Sequence, residues 1–515
     1  MSQLNRIALA VAAMMAVPAF AATTVPAAAG TIYGGGATLP AGAYIGNKWL
    51  AFTPAHRLNV TSTSAKVLDA TNPADPTSLF GNFTVNNAVN SKLWKVSYCA
   101  TGSGTGRNVI RGTVAATTSC ADYNTSSGLG FSADKASADF AASDAPFSAT
   151  EYSSFVSGPR AAAKGAVVQV PAVAGAIGII YNNADMGNIA LNLTESQICQ
   201  IFSGQINNWN QLNSSLPSKA IIPVVRSDSS GTSFSFTNHL SAVCPTAVPN
   251  AVPGFATSST FASGAVGGAV PAGTVQSSGN GGVVTSVLAT DGTIGYAEIN
   301  DGRARAALAG GKLLRYATVS IKPDVAAWSE VVPQYNTDGT PKMKNGLPVT
   351  KVVKHKAEKY AKLDPLKNLP TSVAVASMSD MVLGSNDANG RPTLVAQIPA
   401  TASAAGCLQL VDPAAYAKPA IDTKKNDYKQ YPIVAVSYLI GYNTGNAEFV
   451  DGTGATVTST DKADAVRALF KAPYAISTKV KTIGKKTGFA ALSLTLDSAA
   501  GAANASALVD RCITN

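Results

Sequence analysis

Val224-Val225-Arg226-Ser227-Asp228-Ser229-Ser230-Gly231-Thr232-Ser233-Phe234 is the stretch that decides the fold. A β-branched run ends in an arginine, and small hydroxyl residues with one glycine follow. Phe236, Leu240 and Val243 then recur at i, i+4 and i+7, one face of a helix. A strand that turns through Ser-Ser-Gly-Thr into a helix makes an anion site. Free N–H groups at the helix start point outward, and the helix dipole favours negative charge. The planar fork of Arg226 matches two oxygens of one oxyanion, and Asp228 is placed to hold that fork. The stretch points to a site for a small tetrahedral oxyanion.

Two further apolar runs read as buried strands, Val167-Val168-Gln169-Val170 and Pro432-Ile433-Val434-Ala435-Val436, beside Ile221 to Val225. Between the first strand and the anion stretch, Leu193 to Leu212 reads as a short helix followed by turns. Strands alternating with helices predict an α/β architecture. Residues 246–280 are rich in Ala, Gly, Ser and Thr and predict a long loop. Residues 335–370 are rich in Lys and Pro and predict an insertion or exposed arm.

With 515 residues the chain is long enough for two or three domains, and 13% charged residues against 46% hydrophobic argue for an ordered protein. Arg6, the apolar run Ile7 to Val17 and Ala19-Phe20-Ala21 form a secretory signal, so the mature chain is expected to begin at Ala22. No cysteine follows the cleavage site, so a lipid anchor is not expected. Cys99, Cys120, Cys199, Cys244, Cys407 and Cys512 are an even set without CxxC spacing, which in an exported chain favours disulfides over zinc. Proximity suggests Cys99–Cys120, Cys199–Cys244 and Cys407–Cys512, although spacing alone leaves other pairings open. The net charge of +10 lies partly in Lys342, Lys344 and Lys351 to Lys367. That patch lacks the interleaved aromatics that stack bases, so a nucleic-acid partner is not expected.

Three other segments carry candidate chemistry. Gly34-Gly35-Gly36-Ala37-Thr38-Leu39-Pro40 allows close backbone approach and adds a hydroxyl donor. Gly102-Ser103-Gly104-Thr105-Gly106 has similar chemistry but not dinucleotide-binding spacing, and no Walker lysine follows any glycine loop. In Ala142-Ser143-Asp144-Ala145-Pro146 a carboxylate beside an anion site repels an unprotonated ligand. It accepts a hydrogen bond from a protonated one, so Asp144 favours phosphate over sulfate. Gly279-Asn280-Gly281-Gly282 followed by Gly292 to Tyr296 reads as a helix start, a turn and a strand, a scaffold near the cleft. The chain has three histidines, His56, His239 and His355, and no HExxH or other metal-ligand cluster. A Ser230 nucleophile with His239 as base would sit about 13 Å apart along the helix.

Taken together, GGGATLP at 34–40, the turn at 102–104, ASDAP at 142–146, RSDSSGTSF at 226–234, GNGG at 279–282 and GTIGYAE at 292–298 resemble the phosphate-binding proteins of bacterial phosphate ABC transporters. Within that family the chain is most similar to the DING branch, through GGGATLP, Ile198 to Gly204 with Trp209, SSGT followed by Cys244, Tyr431-Pro432-Ile433 and a C-terminal cysteine. Thr31-Ile32-Tyr33 departs from that branch's Asp-Ile-Asn. The resemblance is patchy between about 300 and 430.

The resemblance implies an α/β two-lobed periplasmic substrate-binding fold of type II, with the ligand in the interlobe cleft. It places a signal at 1–21, one lobe at 22–167 and 432–515, and the other at 168–431 with an insertion around 300–430. It implies Thr38 and Leu39 as hydroxyl and N–H donors, Ser103 as a hydroxyl donor, Asp144 as acceptor of the phosphate proton, Arg226 as the charged contact braced by Asp228, and Ser230, Gly231 and Thr232 as donors on the far side. The expected activity is capture of inorganic phosphate without catalysis. No cofactor or metal is expected, nor a transmembrane segment. The expected product of the chain is a periplasmic or secreted monomer that serves a phosphate transporter permease. A secreted phosphatase and an adhesin that kept a phosphate cleft are the alternatives.

Overall fold

The computed structural model describes residues 30–46, 78–86, 89–90, 92–113, 138–247, 254–308, 310–311, 313–321, 328–355, 361–368, 377–399, 402–418, 430–450, 456–474, 488–491 and 505–515. The expected signal at 1–21 and Cys120 lie outside them.

The chain enters on β1 (Gly30–Gly36) and turns into the short helix α1 (Ala41–Ile45). Next come β2 (Trp94–Ala100), α2 (Ser103–Arg111), β3 (Phe140–Ser143), α3 (Ala149–Val156) and the long β4 (Val167–Asn182). Then follow α4 (Glu195–Phe202), β5 (Ile222–Arg226), α5 (Gly231–Ala247), β6 (Val275–Ser277), α6 (Gly279–Ala289) and β7 (Thr293–Glu298). A ribbon of β8 (Trp328–Pro333) and β9 (Thr350–His355) precedes a hairpin of β10 (Met381–Asn386) and β11 (Pro392–Ala396). The described chain closes with β12 (Gln409–Val411), α7 (Pro413–Ala417), β13 (Val434–Tyr442), α8 (Thr460–Lys471) and α9 (Ala505–Cys512).

One sheet organises the molecule, in the order β2-β1-β3-β13-β4-β7-β5-β6. β1 is parallel to β2 and β3, and β5 is parallel to β6 and β7. β4 joins the two sets. Its residues Val167 to Ala176 pair antiparallel with β13, and Ile177 to Asn182 pair antiparallel with β7. The expected lobe division at 167/168 falls at the start of this strand, whereas its partners change between Ala176 and Ile177. All of β4 but its last residue is buried, which explains the apolar run at 167–170 as part of a longer strand with both faces covered. Pro171 offers no N–H to the ladder, and the register with β13 slips there, between Ser437 and Tyr438.

Each half has an aromatic core. Tyr44 stacks on Phe80 at 4.6 Å, with Tyr98 and Phe140 against them. In the other half Phe236 stacks on Tyr296 at 4.4 Å, with Phe202 and Phe261 edge-on or stacked around them. Burying such side chains stabilises each half by about 1.5–3 kcal/mol apiece. The disulfide Cys199–Cys244 staples α4 to α5, and Cys407–Cys512 ties the segment before β12 to α9. Both pairings match the proximity expectation. Cys99 is also disulfide-bonded.

Two expectations need correction. Residues 254–280 are not a plain loop: they hold a one-turn helix (Phe261–Gly264) and the edge strand β6, which pairs Arg226 with Ser277. The predicted apolar stripe of α5 is present, with Phe236, Leu240 and Val243 buried, but its polar face is buried as well. The cause is the segment 377–417, part of the insertion around 300–430 that was expected to add bulk to the second lobe. Asn238 Nδ2 donates to Pro413 O at 2.8 Å, and His239 Nδ1 bonds Ala417 O at 2.8 Å. The same segment also bonds the first half. Leu383 N–H donates to Phe147 O at 2.9 Å, Gln169 N–H to Cys407 O at 2.9 Å, and Val411 N–H to the Tyr438 hydroxyl at 3.2 Å. It is a strap across both halves, anchored through Cys407–Cys512.

Candidate anion-binding site

The parallel strands of both halves aim their C-terminal ends at one place, where open α/β sheets collect ligands. β1 ends at Gly36 and the chain turns through Ala37, Thr38 and Leu39. Tyr98 of β2 fixes this turn by donating its hydroxyl to Ala37 O at 2.5 Å. Thr38 and Leu39 are buried, and among the described residues their N–H groups have no acceptor. β2 leads through Gly102, at φ +103°, into α2, whose first residue is Ser103. Asp144 follows β3. Its N–H donates to Ser103 Oγ at 3.0 Å, and the Ser103 hydroxyl donates to its Oδ2 at 3.3 Å.

Asp144 is buried and its Oδ1 has no hydrogen-bond partner. Burial pushes its carboxyl up to about 7, against the opposing pull of the Ser437 hydroxyl, the Arg226 guanidinium, the Ser103 hydroxyl and the Arg107 guanidinium. Arg107 of α2 backs this wall. Its Nη1 donates to Ser143 Oγ at 2.7 Å and its Nε to Glu151 Oε1 at 2.8 Å.

β5 supplies the facing wall. Arg226 is buried, and its Nε and Nη2 donate to the two oxygens of Asp228 at 2.7 and 2.5 Å. Nη1 reaches Thr232 Oγ1 at 3.3 Å. Asp228 also accepts the N–H of Gly279 at the start of α6, at 3.0 Å. Burial acts to raise the Asp228 carboxyl, but the Arg226 charge, its hydrogen bonds and the Gly279 N–H outweigh it and hold the group below the usual carboxylate range. Ser230 caps α5 by accepting the Ser233 N–H at 3.1 Å. Gly231 and Thr232 open the helix, so their N–H groups precede the first intrahelical bonds.

The walls meet closely. Gly104 N–H donates to Ser229 O at 3.0 Å, and Asn280 N–H to Thr38 Oγ1 at 3.3 Å. A Cβ on Gly102 would stand 2.7 Å from Asp228 Oδ2, and one on Gly231 would stand 2.4 Å from Asp144 Cβ. All the predicted positions, Thr38, Leu39, Ser103, Asp144, Arg226, Asp228, Ser230, Gly231 and Thr232, are therefore brought together. Three residues escaped the sequence. Asn280 and Gly279 lie in the GNGG segment read only as scaffold, and nothing local marks Arg107.

Three of the four hydroxyls share one polarity. Thr38 Oγ1 accepts from Asn280 N–H, Ser230 Oγ from Ser233 N–H, and Thr232 Oγ1 from Arg226 Nη1. Each of these accepts from a donor and keeps its own hydrogen to give. Ser103 Oγ accepts from Asp144 N–H and gives its hydrogen to Asp144 Oδ2. Against these donors the site sets one acceptor, Asp144 Oδ1.

His239 takes no part. Its ring bonds Ala417 O and lies 3.8 Å from Glu195 Oε1, and burial holds it below its ordinary value. Among the described residues no group of three or more His, Cys, Asp or Glu side chains is placed to hold a metal ion.

The family profile of the PBP superfamily domain matches residues 88–363, more than half of the chain. The chain belongs to the PBP superfamily. A superfamily structure described as a high affinity periplasmic phosphate-binding protein (PfluDING) bound with phosphate superposes at a TM-score of 0.52. It is 21% identical and the match covers 94% of this chain and 99% of that one, a likeness that shows the two-lobed fold. Alkaline phosphatase L of Pseudomonas aeruginosa PAO1 is 36% identical over 202 residues, which cover 39% of this chain and 48% of that protein. Phosphate-binding protein PstS of Haemophilus influenzae is 42% identical over 84 residues, 15% of this chain and 25% of that one. The chain thus spans about half, or less, of the length of these curated relatives. No helix among the described residues is long and apolar enough to cross a membrane.

Proposed function

We propose that this protein captures inorganic phosphate, as HPO4 or H2PO4 anions, in the cleft between two lobes joined through β4, and does not turn it over. The observation that carries this reading is the polarity of the site. The hydroxyls of Thr38, Ser230 and Thr232 are set to donate, N–H groups of Thr38, Leu39, Gly231 and Thr232 border the same place, and Arg226 adds the charge. Such a set suits an anion with several acceptor oxygens. Asp144 Oδ1, the lone acceptor, suits an anion that still carries a proton.

In this reading Asp228 holds the Arg226 fork before the ligand arrives, so little ordering entropy is lost on binding. Charge-assisted hydrogen bonds contribute about 1.5–3 kcal/mol each, so roughly five support micromolar or tighter affinity after association costs. Sulfate offers no proton, so binding it leaves Asp144 Oδ1 against a bare oxygen. The names of the PstS and PfluDING relatives support phosphate as the ligand, and the latter's description supports an exported protein, periplasmic or secreted. Delivery to a transporter permease by a monomer completes the proposal.

Calorimetric titration tests it. Wild-type protein is expected to bind phosphate at least a hundredfold tighter than sulfate, and Arg226→Ala to lose phosphate binding. Wild-type affinity in Arg226→Ala would sink the site assignment, and equal affinity for both ions would sink the role of Asp144.

A secreted phosphatase is the second reading, favoured by the relative named Alkaline phosphatase L. The Ser230 hydroxyl is engaged as a helix cap and His239 bonds Ala417 O, so His239 is not placed to act as a base for Ser230. Turnover of a chromogenic phosphate ester that survives repurification and vanishes in Ser230→Ala would establish it.

A further inference from the structure

The ribbon of β8 and β9 has no use in the cleft. No residue from 329 to 354 is buried. Ribbons of this kind are marginally stable in water without a surface to pack on. Five of the eleven strongly exposed large apolar side chains among the described residues fall here: Val331, Tyr335, Met343, Leu347 and Val352. The other six are scattered, which needs no explanation, but five within one arm form a patch.

The arm has internal order. Val331 pairs with Val352 and Ser329 with Lys354, so those four share one face, and that face is the exposed one. At the far end Gln334 N–H donates to Val349 O at 2.8 Å, Val349 N–H to Lys342 O at 2.7 Å, and Lys342 N–H to Gln334 O at 2.7 Å, closing a ring of three bonds. Beyond it projects a two-residue turn, Asn345-Gly346, with φ of 53° and 79°. Met343 and Leu347 flank this turn, and Lys344 pairs directly with Leu347. Lys342, Lys344, Lys351 and Lys354 are all exposed.

We propose that residues 329–354 form a docking arm for an anionic lipid bilayer. Apolar side chains at a projecting turn enter the headgroup boundary, and the surrounding lysines meet the acidic headgroups. The same lysines argue against a second copy, because a symmetric contact brings cations together, and edge lysines discourage strand addition. The arm would hold the protein at a membrane surface while the cleft stays free to bind its ligand, and it stands independently of which anion the cleft takes.

Full-length protein would be floated with phosphatidylcholine vesicles, with and without phosphatidylglycerol, at low and high salt. Binding is expected only with phosphatidylglycerol and to weaken at high salt. The double variant Met343→Asp, Leu347→Asp is expected to lose roughly tenfold or more of that binding, with melting temperature and cleft-ligand affinity unchanged. Because no residue of the arm contributes to a core, the variant is expected to fold. Binding that ignores lipid charge, that is absent from both vesicles, or that survives in the variant would overturn the proposal. So would a dimer abolished by the variant, which would assign the surface to a second copy.

Discussion

Gly231→Ala probes the closure of the two walls more directly than removal of any ligand-facing side chain. Gly231 opens α5, with a backbone that alanine adopts without strain, and in isolation the change favours the helix by up to about 1 kcal/mol. The added Cβ would stand 2.4 Å from Asp144 Cβ, 2.6 Å from Ser103 Oγ and 2.7 Å from Asp144 C. Carbon atoms settle at about 3.5–4.0 Å, so the overlap is at least ~1 Å. Two of the three obstructing atoms belong to Asp144 itself, which cannot swing aside as a long side chain would. The relief available is separation of the walls, taking Ser103 and Asp144 away from Gly231 and Thr232. Loss of two charge-assisted contacts to the bound anion costs about 3–6 kcal/mol, an affinity loss of about a hundredfold or more. The ligand-free protein relieves the overlap by opening, so its melting temperature should not fall. Calorimetric titration with phosphate and scanning calorimetry with and without it separate these effects, since the ligand-induced rise in melting temperature should shrink with affinity. Phosphate affinity within threefold of wild type would refute the closed arrangement of the walls around the ligand.

Asp144 makes discrimination pH-dependent. Sulfate requires a protonated Asp144, so its affinity should rise as pH falls below about 7, while phosphate changes less because one proton is shared in either form; competition titrations across pH measure the ratio, and Asp144→Asn should abolish the trend. Its raised carboxyl also means that the folded, empty protein holds a proton that the unfolded chain has lost, so stability should decline as pH rises from about 4 to about 7 and level off above, a slope that Asp144→Asn removes. Asp228 has the opposite sign: its depressed carboxyl stabilises the fold at neutral pH, and that contribution fades as pH falls through the folded value. Asp228→Asn should weaken phosphate roughly tenfold to a hundredfold by loosening Arg226, and an unchanged dissociation constant would remove its role as a brace. Cutting the strap's links to α5 and Thr257 with Asn386→Ala and Arg391→Ala, which donate to Thr257 O at 3.0 Å and Ala242 O at 3.3 Å, should speed phosphate release in stopped-flow measurements; unchanged release would show that the strap does not restrain opening.

The directions of the four site hydroxyls show how far the sequence reaches. That Ser and Thr cluster beside a glycine and an arginine is visible in any reading of 226–234, and so is the helix that follows, because both are local. Ser230 accepts from an N–H three residues on, an ordinary helix cap, so its direction is legible. Thr232 accepts from a guanidinium six residues back, which the strand-to-helix turn makes plausible. Ser103 accepts from the N–H of Asp144, 41 residues away, and Thr38 from that of Asn280, 242 residues away. No periodicity or spacing encodes those two contacts, because they depend on β4 joining two sheet halves whose strand ends then face each other. The strap at 377–417 escaped for the same reason: its buried Val382, Leu383, Leu408, Leu410 and Val411 pack into a core shared with β3, β4 and β13, and its hydrogen bonds reach α5, β4 and Tyr438, all far away in sequence. A hydroxyl without a defined donor partner serves an anion or a cation equally well. The local sequence therefore identifies an oxyanion grip at Arg226, and only the long-range contacts make Thr38 a donor on the other wall, pair Ser103 with Asp144 Oδ2 and leave Asp144 Oδ1 as an acceptor.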